Sequence, residues 1–119
     1  MKRHNFKKLQ IWESSMDLIN DTYAITSKFP DFEKFGLRSQ LNRSAISIAS
    51  NIAEGSSKRS NKHFIQFLEM SLGSAFEWET QMIVCNNLNY ISEKEFYTLE
   101  EKISIIQKKI SNFIDKLHN

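Results

Sequence analysis

The sequence predicts an all-α protein, an antiparallel up-down-up-down four-helix bundle. Three observations predict it. Breakers are scarce, with 3 glycines and 1 proline in 119 residues, and strong helix formers fill the rest. Apolar residues recur at alternating spacings of three and four over long stretches, which is the period of one helix face. Short polar connections separate those stretches, so consecutive helices must run antiparallel. Four helices of roughly 20 to 30 residues use the whole length. Residues 1–119 therefore read as one bundle domain, with a basic N-terminal arm over 1–8.

The arm carries Lys2, Arg3, His4, Lys7 and Lys8. Two readings fit it: a frayed, solvated end, or an arm that touches phosphate. The first helix spans about Leu9 to Lys28. Leu9, Trp12, Met16, Ile19, Tyr23 and Thr26 keep the three-four spacing of a bundle seam, and Ile11, Leu18 and Ile25 form a second stripe beside it. That wide apolar face is either a broad core face or a contact with another subunit. Pro30 ends the helix by disfavouring α geometry in the residue before it. Asp31 to Gly36 is a compact linker with room for a single turn, and Phe29, Phe32 and Phe35 are expected to plug the end of the bundle.

The second helix, about Leu37 to Ser56, is the hub of the packing. Leu41, Ala45, Ile48 and Ile52 share one face, while Ser44, Ser47, Ala49, Ser50 and Ala53 keep the helix thin enough for close neighbours. Gly55 is a ready terminator. Asn51 and Glu54, three apart, are expected to share a partner in a structural polar network, with Gln40, Arg43 and Gln81 as candidates. The connection SSKRSNKH places Lys58, Arg59, Lys62 and His63 together without an acidic residue, and Ser60 is the natural N-cap of the third helix.

The third helix runs from about Asn61 to Asn89 on a seam of Phe64, Phe67 or Leu68, Ser71, Ala75, Trp78, Met82, Cys85 and Leu88. Gly73 sits mid-helix, where glycine costs about 1 kcal/mol against alanine; close packing on the small face of the second helix is the expected reason. Ser92 and Glu95 form a capping-box pattern at the start of the fourth helix, about Glu93 to Leu117. Its seam is Phe96, Leu99, Ile103, Ile106, Ile110, Phe113 and Leu117, with Ile105 and Ile114 off that line.

The motifs SAISIASNIAEG with Arg59, FPDFEKFGLRSQLNRS before them and GSAFEWETQ after them resemble the four-helix-bundle family named for proteins encoded in 23S rRNA intervening sequences. That family also includes accessory proteins of diversity-generating retroelements. The resemblance is recognisable from about Phe6 to Tyr90 and continues weakly, as helical pattern, to the C-terminus. It implies a helical bundle, a homo-oligomer that is a pentamer in the retroelement branch, and a nucleic-acid partner there. It implies no established activity.

The formal net charge is +2. Residues 1–62 hold eleven Lys or Arg against six Asp or Glu, whereas residues 63–119 hold five against eight. A basic half points to a polyanion, or to an opposite charge on another subunit. Candidate nucleic-acid contacts are Lys58, Arg59, Lys62, His63, Arg43, Lys7 and Lys8. The cluster from Lys58 to His63 is either a phosphate site or a solvated turn. The other class of function is a protein-interaction scaffold.

Catalysis has little to stand on. None of His4, His63 and His118 follows a glutamate by three, so the di-iron bundle pattern is not met. One cysteine does not make a zinc site, and Cys85, on the apolar seam, reads as a buried structural thiol. Glycine-rich phosphate loops are missing. Glu77 and Glu79 point to different helix faces. No catalytic residue, metal or cofactor is expected. No apolar run approaches the ~18 residues of a membrane span, and a lone cysteine with no secretory leader fits the cytoplasm.

Overall fold

The structure is a computed structural model, and residues 3–119 are described. Lys2 of the expected arm lies outside the described residues. Four helices follow one another: α1 (Gln10–Thr26), α2 (Leu37–Ser56), α3 (Asn61–Asn87) and α4 (Glu93–His118). Short 3-10 turns at Phe6–Lys8 and Asp31–Glu33 precede α1 and α2. The bundle measures 48 × 24 × 20 Å.

Cross-helix contacts fix the direction of each neighbour. Lys28 meets Glu95 and Asp21 meets Lys102, so α1 and α4 run in opposite directions. Ser44 meets Gln81 and Ser47 meets Ser74, so α2 and α3 do as well. Glu79 meets Gln107 and Phe64 meets Phe113, which orients α4 against α3. Each boundary has a local cause. Ser60 accepts from the His63 amide at the start of α3, and the reciprocal Ser92–Glu95 box caps α4. Asn89, at φ 61°, takes the left-handed position that lets α3 end.

The seam expected on α1 is turned. Ile11, Ser15, Leu18, Thr22 and Ile25 face the core, whereas Met16 and Tyr23 are exposed. The cause is two hydroxyl residues that behave as core. Ser15 Oγ donates to the Ile11 carbonyl at 2.7 Å and Thr22 Oγ1 to the Leu18 carbonyl at 2.6 Å. Thr22 Oγ1 also accepts from the indole nitrogen of buried Trp78 at 3.1 Å. With their polar atoms satisfied, these side chains can sit where a sequence pattern looks for leucine. On α4, Ile114, expected off the seam, joins the core, and Ile105 remains exposed. Phe29 is buried against Tyr90, but Phe32 and Phe35 do not plug the bundle: they are 78% and 88% exposed.

The most extensive helix–helix contact is between α2 and α3. Small residues line it, and hydroxyls bridge it: Ser71 Oγ donates to the Ile48 carbonyl at 2.8 Å, beside the Ser47–Ser74 bond at 2.8 Å and the Ser44–Gln81 bond at 2.7 Å. The glycine that this approach requires is Gly55, not Gly73. A Cβ at Gly55 would lie 2.7 Å from Phe67 Cβ and 2.9 Å from Phe64 Cδ1, whereas at Gly73 it would meet nothing within 4 Å. Gly55 is thus a packing residue inside α2 rather than its terminator, and α2 continues through Ser56.

A carboxyl pair joins α3 to α4. Glu100 Oε2 is sealed from solvent and has no donor, which a carboxylate tolerates badly. A proton on Glu100 resolves this by bonding to Glu79. Burial, then that bond and the Glu79 charge, push Glu100 up to about 7. The bonds from Glu100 and then from Gln107 hold Glu79 below its ordinary value.

The two glycines should respond oppositely to the same substitution. Gly55→Ala should destabilise by about 1–3 kcal/mol through overpacking, while Gly73→Ala should stabilise by about 0.5–1 kcal/mol as an exposed helical site. Thermal melts of the two variants decide it, and shifts of the same sign would contradict the packing described. For the carboxyl pair, the folded chain holds the Glu100 proton more tightly than the unfolded chain, whose value is the ordinary 4.5. Its contribution is complete below that value and is lost as pH rises through about 7. Glu79 acts oppositely, and its contribution is lost on acidification below 4.5. Discounted for solvent at the rim, the Glu100 loss should be about 1–2 kcal/mol. Urea unfolding at stepped pH should show this slope in the wild type and a flat profile in Glu100→Gln, which keeps a donor without a titration. Equal slopes in both proteins would disprove the shared proton.

Candidate functional site

An antiparallel bundle of four helices returns three chain segments to one end: the N-terminal arm, the α2–α3 turn and the C-terminus of α4. Each of these segments is basic. From Arg3 onward the arm is docked. Arg3 Nε donates to the Ser57 carbonyl at 2.7 Å, on the turn itself. The His4 ring packs edge-on against Phe64 at 5.0 Å and Phe113 at 6.1 Å, and Phe6 packs against Trp12 at 5.2 Å. Asn5 caps the 3-10 turn that presents Lys7 and Lys8, and both lysines are exposed.

At the turn, Arg59, Lys62 and His63 are exposed. Lys58 is half-buried because its ammonium lies 5.0 Å from the centre of the Phe67 ring, a cation–π contact that fixes the stem without removing the charge. His63 Nδ1 shares a hydrogen with Ser60 Oγ at 2.8 Å. The end of α4 closes the pole. Lys8 and Lys116 line one groove, and Lys62 and His118 line another. Among the described residues, the ion pairs are Lys28–Glu95 and Lys102–Asp21, and neither lies at this pole.

Of the residues singled out in the sequence, Lys7, Lys8, Lys58, Arg59, Lys62 and His63 are therefore brought to one end. Arg43 is not. It lies earlier on α2, in a groove with Lys34 and Arg38. Arg3 was legible only as one cation of the basic arm, and its bond to Ser57 shows where that arm docks.

The Asn51–Glu54 network takes a different form from the one expected. Asn51 Nδ2 donates to the Ser47 carbonyl at 2.9 Å and to Ser47 Oγ at 3.1 Å, and so joins the Ser47–Ser74 bridge. Glu54 is exposed, and among the described residues its carbonyl accepts from the Ser57 amide and hydroxyl. Gln81 bonds to Ser44 instead. One helical turn separates Asn51 from Ser47, and that local bond outcompetes a partner shared with Glu54.

The carboxylate pair of this fold is Glu79 with Glu100, on two helices, a pairing that spacing along one helix cannot reveal. Cys85 is buried, and that burial, followed by the charge of Glu33, pushes its thiol up to about 12. Among the described residues, no group of three or more His, Cys, Asp or Glu gathers as a metal site, and no helix is long and apolar enough to cross a membrane.

Comparison with known proteins agrees with this architecture. A crystal structure of a protein with unknown function from the S23 ribosomal protein family of Bacteroides thetaiotaomicron VPI-5482 superposes with a TM-score of 0.81. It is 22% identical, over 87% of this chain and 97% of that one, a likeness of fold. No curated protein matches the sequence significantly. The family model described as 23S rRNA-intervening sequence protein matches residues 7–112. With that share of its length matched, the chain belongs to the 23S rRNA-intervening sequence protein family.

Proposed function

We propose that this protein is a non-enzymatic, cytoplasmic homo-oligomer that binds RNA through its basic pole. The observation that carries the reading is the convergence of Arg3, Lys7, Lys8, Lys58, Arg59 and Lys62 at one end of the bundle with no ion pair among them. Unpaired cations on a rigid end attract a polyanion, and their geometry suits the phosphate backbone better than base edges. Binding is then steeply salt-dependent and weakly sequence-selective. The family resemblance implies five subunits, and a ring would repeat the pole in each subunit. Repetition raises avidity without new contacts.

A second reading is a protein-interaction scaffold. It draws on the outward face of α3, where Met70, Phe76, Ile83, Val84 and Leu88 are exposed. Such a face suits a subunit contact or another protein.

The anisotropy of a labelled structured RNA, titrated at two salt concentrations, tests the first reading. The wild type should bind with a steep salt slope. A Lys58→Ala/Arg59→Ala/Lys62→Ala variant should bind weakly and lower that slope by roughly 2 to 3, since each phosphate no longer neutralised removes ~0.7 on a single strand and ~0.9 on a duplex. No binding of the wild type at low salt would leave the scaffold reading in place. Light scattering tests the oligomer, and a 14.0 kDa particle at micromolar concentration would overturn it.

A further inference from the structure

We infer that a second surface, the groove between the C-terminal half of α1 and the N-terminal half of α2, binds single-stranded nucleic acid with a base stacked on Phe35. The inference rests on the nucleic-acid reading above but places a distinct contact with a distinct preference. The groove has a volume of about 500 Å³ and is lined by Tyr23, Lys34, Phe35, Arg38, Arg43 and Ile46, with Ser39 and Asn42 between them. No carboxylate lines it. Eighteen residues of α2, roughly 27 Å at 1.5 Å each, separate Arg38 from Ser56 at the basic pole.

Two features of the groove point to a single strand. The first is charge. Lys34, Arg38 and Arg43 take part in neither ion pair found among the described residues. Glu33, next in sequence to Lys34, is engaged elsewhere: its Oε1 accepts from the Leu37 amide at 3.1 Å and its Oε2 from the Tyr90 hydroxyl at 2.9 Å. Three uncompensated cations along a groove track a phosphate backbone.

The second feature is exposed aromatic surface among those cations. Phe35 is 88% exposed and Tyr23 47%. Water around a bare phenyl ring is costly, and this ring has no role in the core. The Lys34 ammonium lies 5.5 Å from its centre. A ring held beside a cation is the arrangement on which an unpaired base stacks while its phosphate meets the charge. A duplex keeps its bases stacked on each other and offers no free face to Phe35. Asn42 adds a donor. Its Oδ1 accepts from Thr26 Oγ1 at 2.8 Å, which fixes the amide and leaves Nδ2 to hydrogen-bond a ligand. A second copy docking groove to groove about a two-fold axis would set the three cations of each copy against those of the other, an arrangement that like charges oppose.

The test compares labelled oligouridine with a blunt-ended RNA duplex, by anisotropy at low salt, using the full chain. The proteins are the wild type, Phe35→Ala, Arg38→Ala/Arg43→Ala, and the triple turn variant of the basic pole. Phe35→Ala removes a ring that supports no packing. It should weaken oligouridine binding about ten-fold and leave duplex binding unchanged. Arg38→Ala/Arg43→Ala should weaken oligouridine and lower its salt slope by about 1.4. Light scattering of each variant should give the wild-type mass.

Three results would overturn the proposal. In the first, Phe35→Ala matches the wild type on oligouridine while the turn variant loses RNA; the groove then falls and the basic pole stands. In the second, groove variants bind as the wild type does but change in mass, which makes this face a contact between copies. In the third, the wild type binds neither RNA, and both readings fall together.

Discussion

The fold depends most on how near α3 can come to α2. The absent Cβ of Gly55 sets that limit, because Phe64 and Phe67 occupy the space beside it. Farther along, serine and alanine keep the two helices close enough for hydroxyls to reach across, as Ser71 does to the Ile48 carbonyl. Close approach and polar bridging support each other. A short serine bridges only helices that are already near, and a buried hydroxyl costs stability unless it bridges or bonds backwards. Once α2 and α3 are joined, α1 and α4 have only their own apolar faces to place. The Trp78 indole, donating to Thr22, anchors α1 to the same centre.

The fold class, the four helices and most of their ends were legible because they rest on local chemistry. Ser60, Ser92 with Glu95, and Pro30 each act within a few residues of themselves. What was not legible depends on partners far along the chain. Ser15 and Thr22 look like surface residues until their backward bonds and Trp78 are known, so Met16 and Tyr23 take their place in a pattern count. Gly55 and Gly73 look alike in sequence, and only Phe64 and Phe67 tell them apart. The Glu79–Glu100 proton belongs to two helices at once. Phe32 and Phe35 break the general rule that aromatics are buried, and their exposure shows only in the structure. The basic cluster after α2 was legible as composition, but its union with the arm needed the bond from Arg3 to Ser57.

Topology turns a modest net charge into a directional one. The excess of cations in residues 1–62 is not spread evenly over the bundle. Up-down connections return the first and third segments of basic chain to the same end, while Lys34, Arg38 and Arg43 stay near the other end of α2. A single subunit thus carries two separate basic regions, one toward each end of α2.

Cys85 gives the bundle an internal clock. Its thiol is fully enclosed and its ionisation lies near 12, so alkylating reagents meet almost no thiolate in the native state. Labelling therefore waits on openings that expose α3, and its rate reports how often the core parts. The same silence provides a blank background, on which a cysteine introduced at a surface position would be the only site to take a dye.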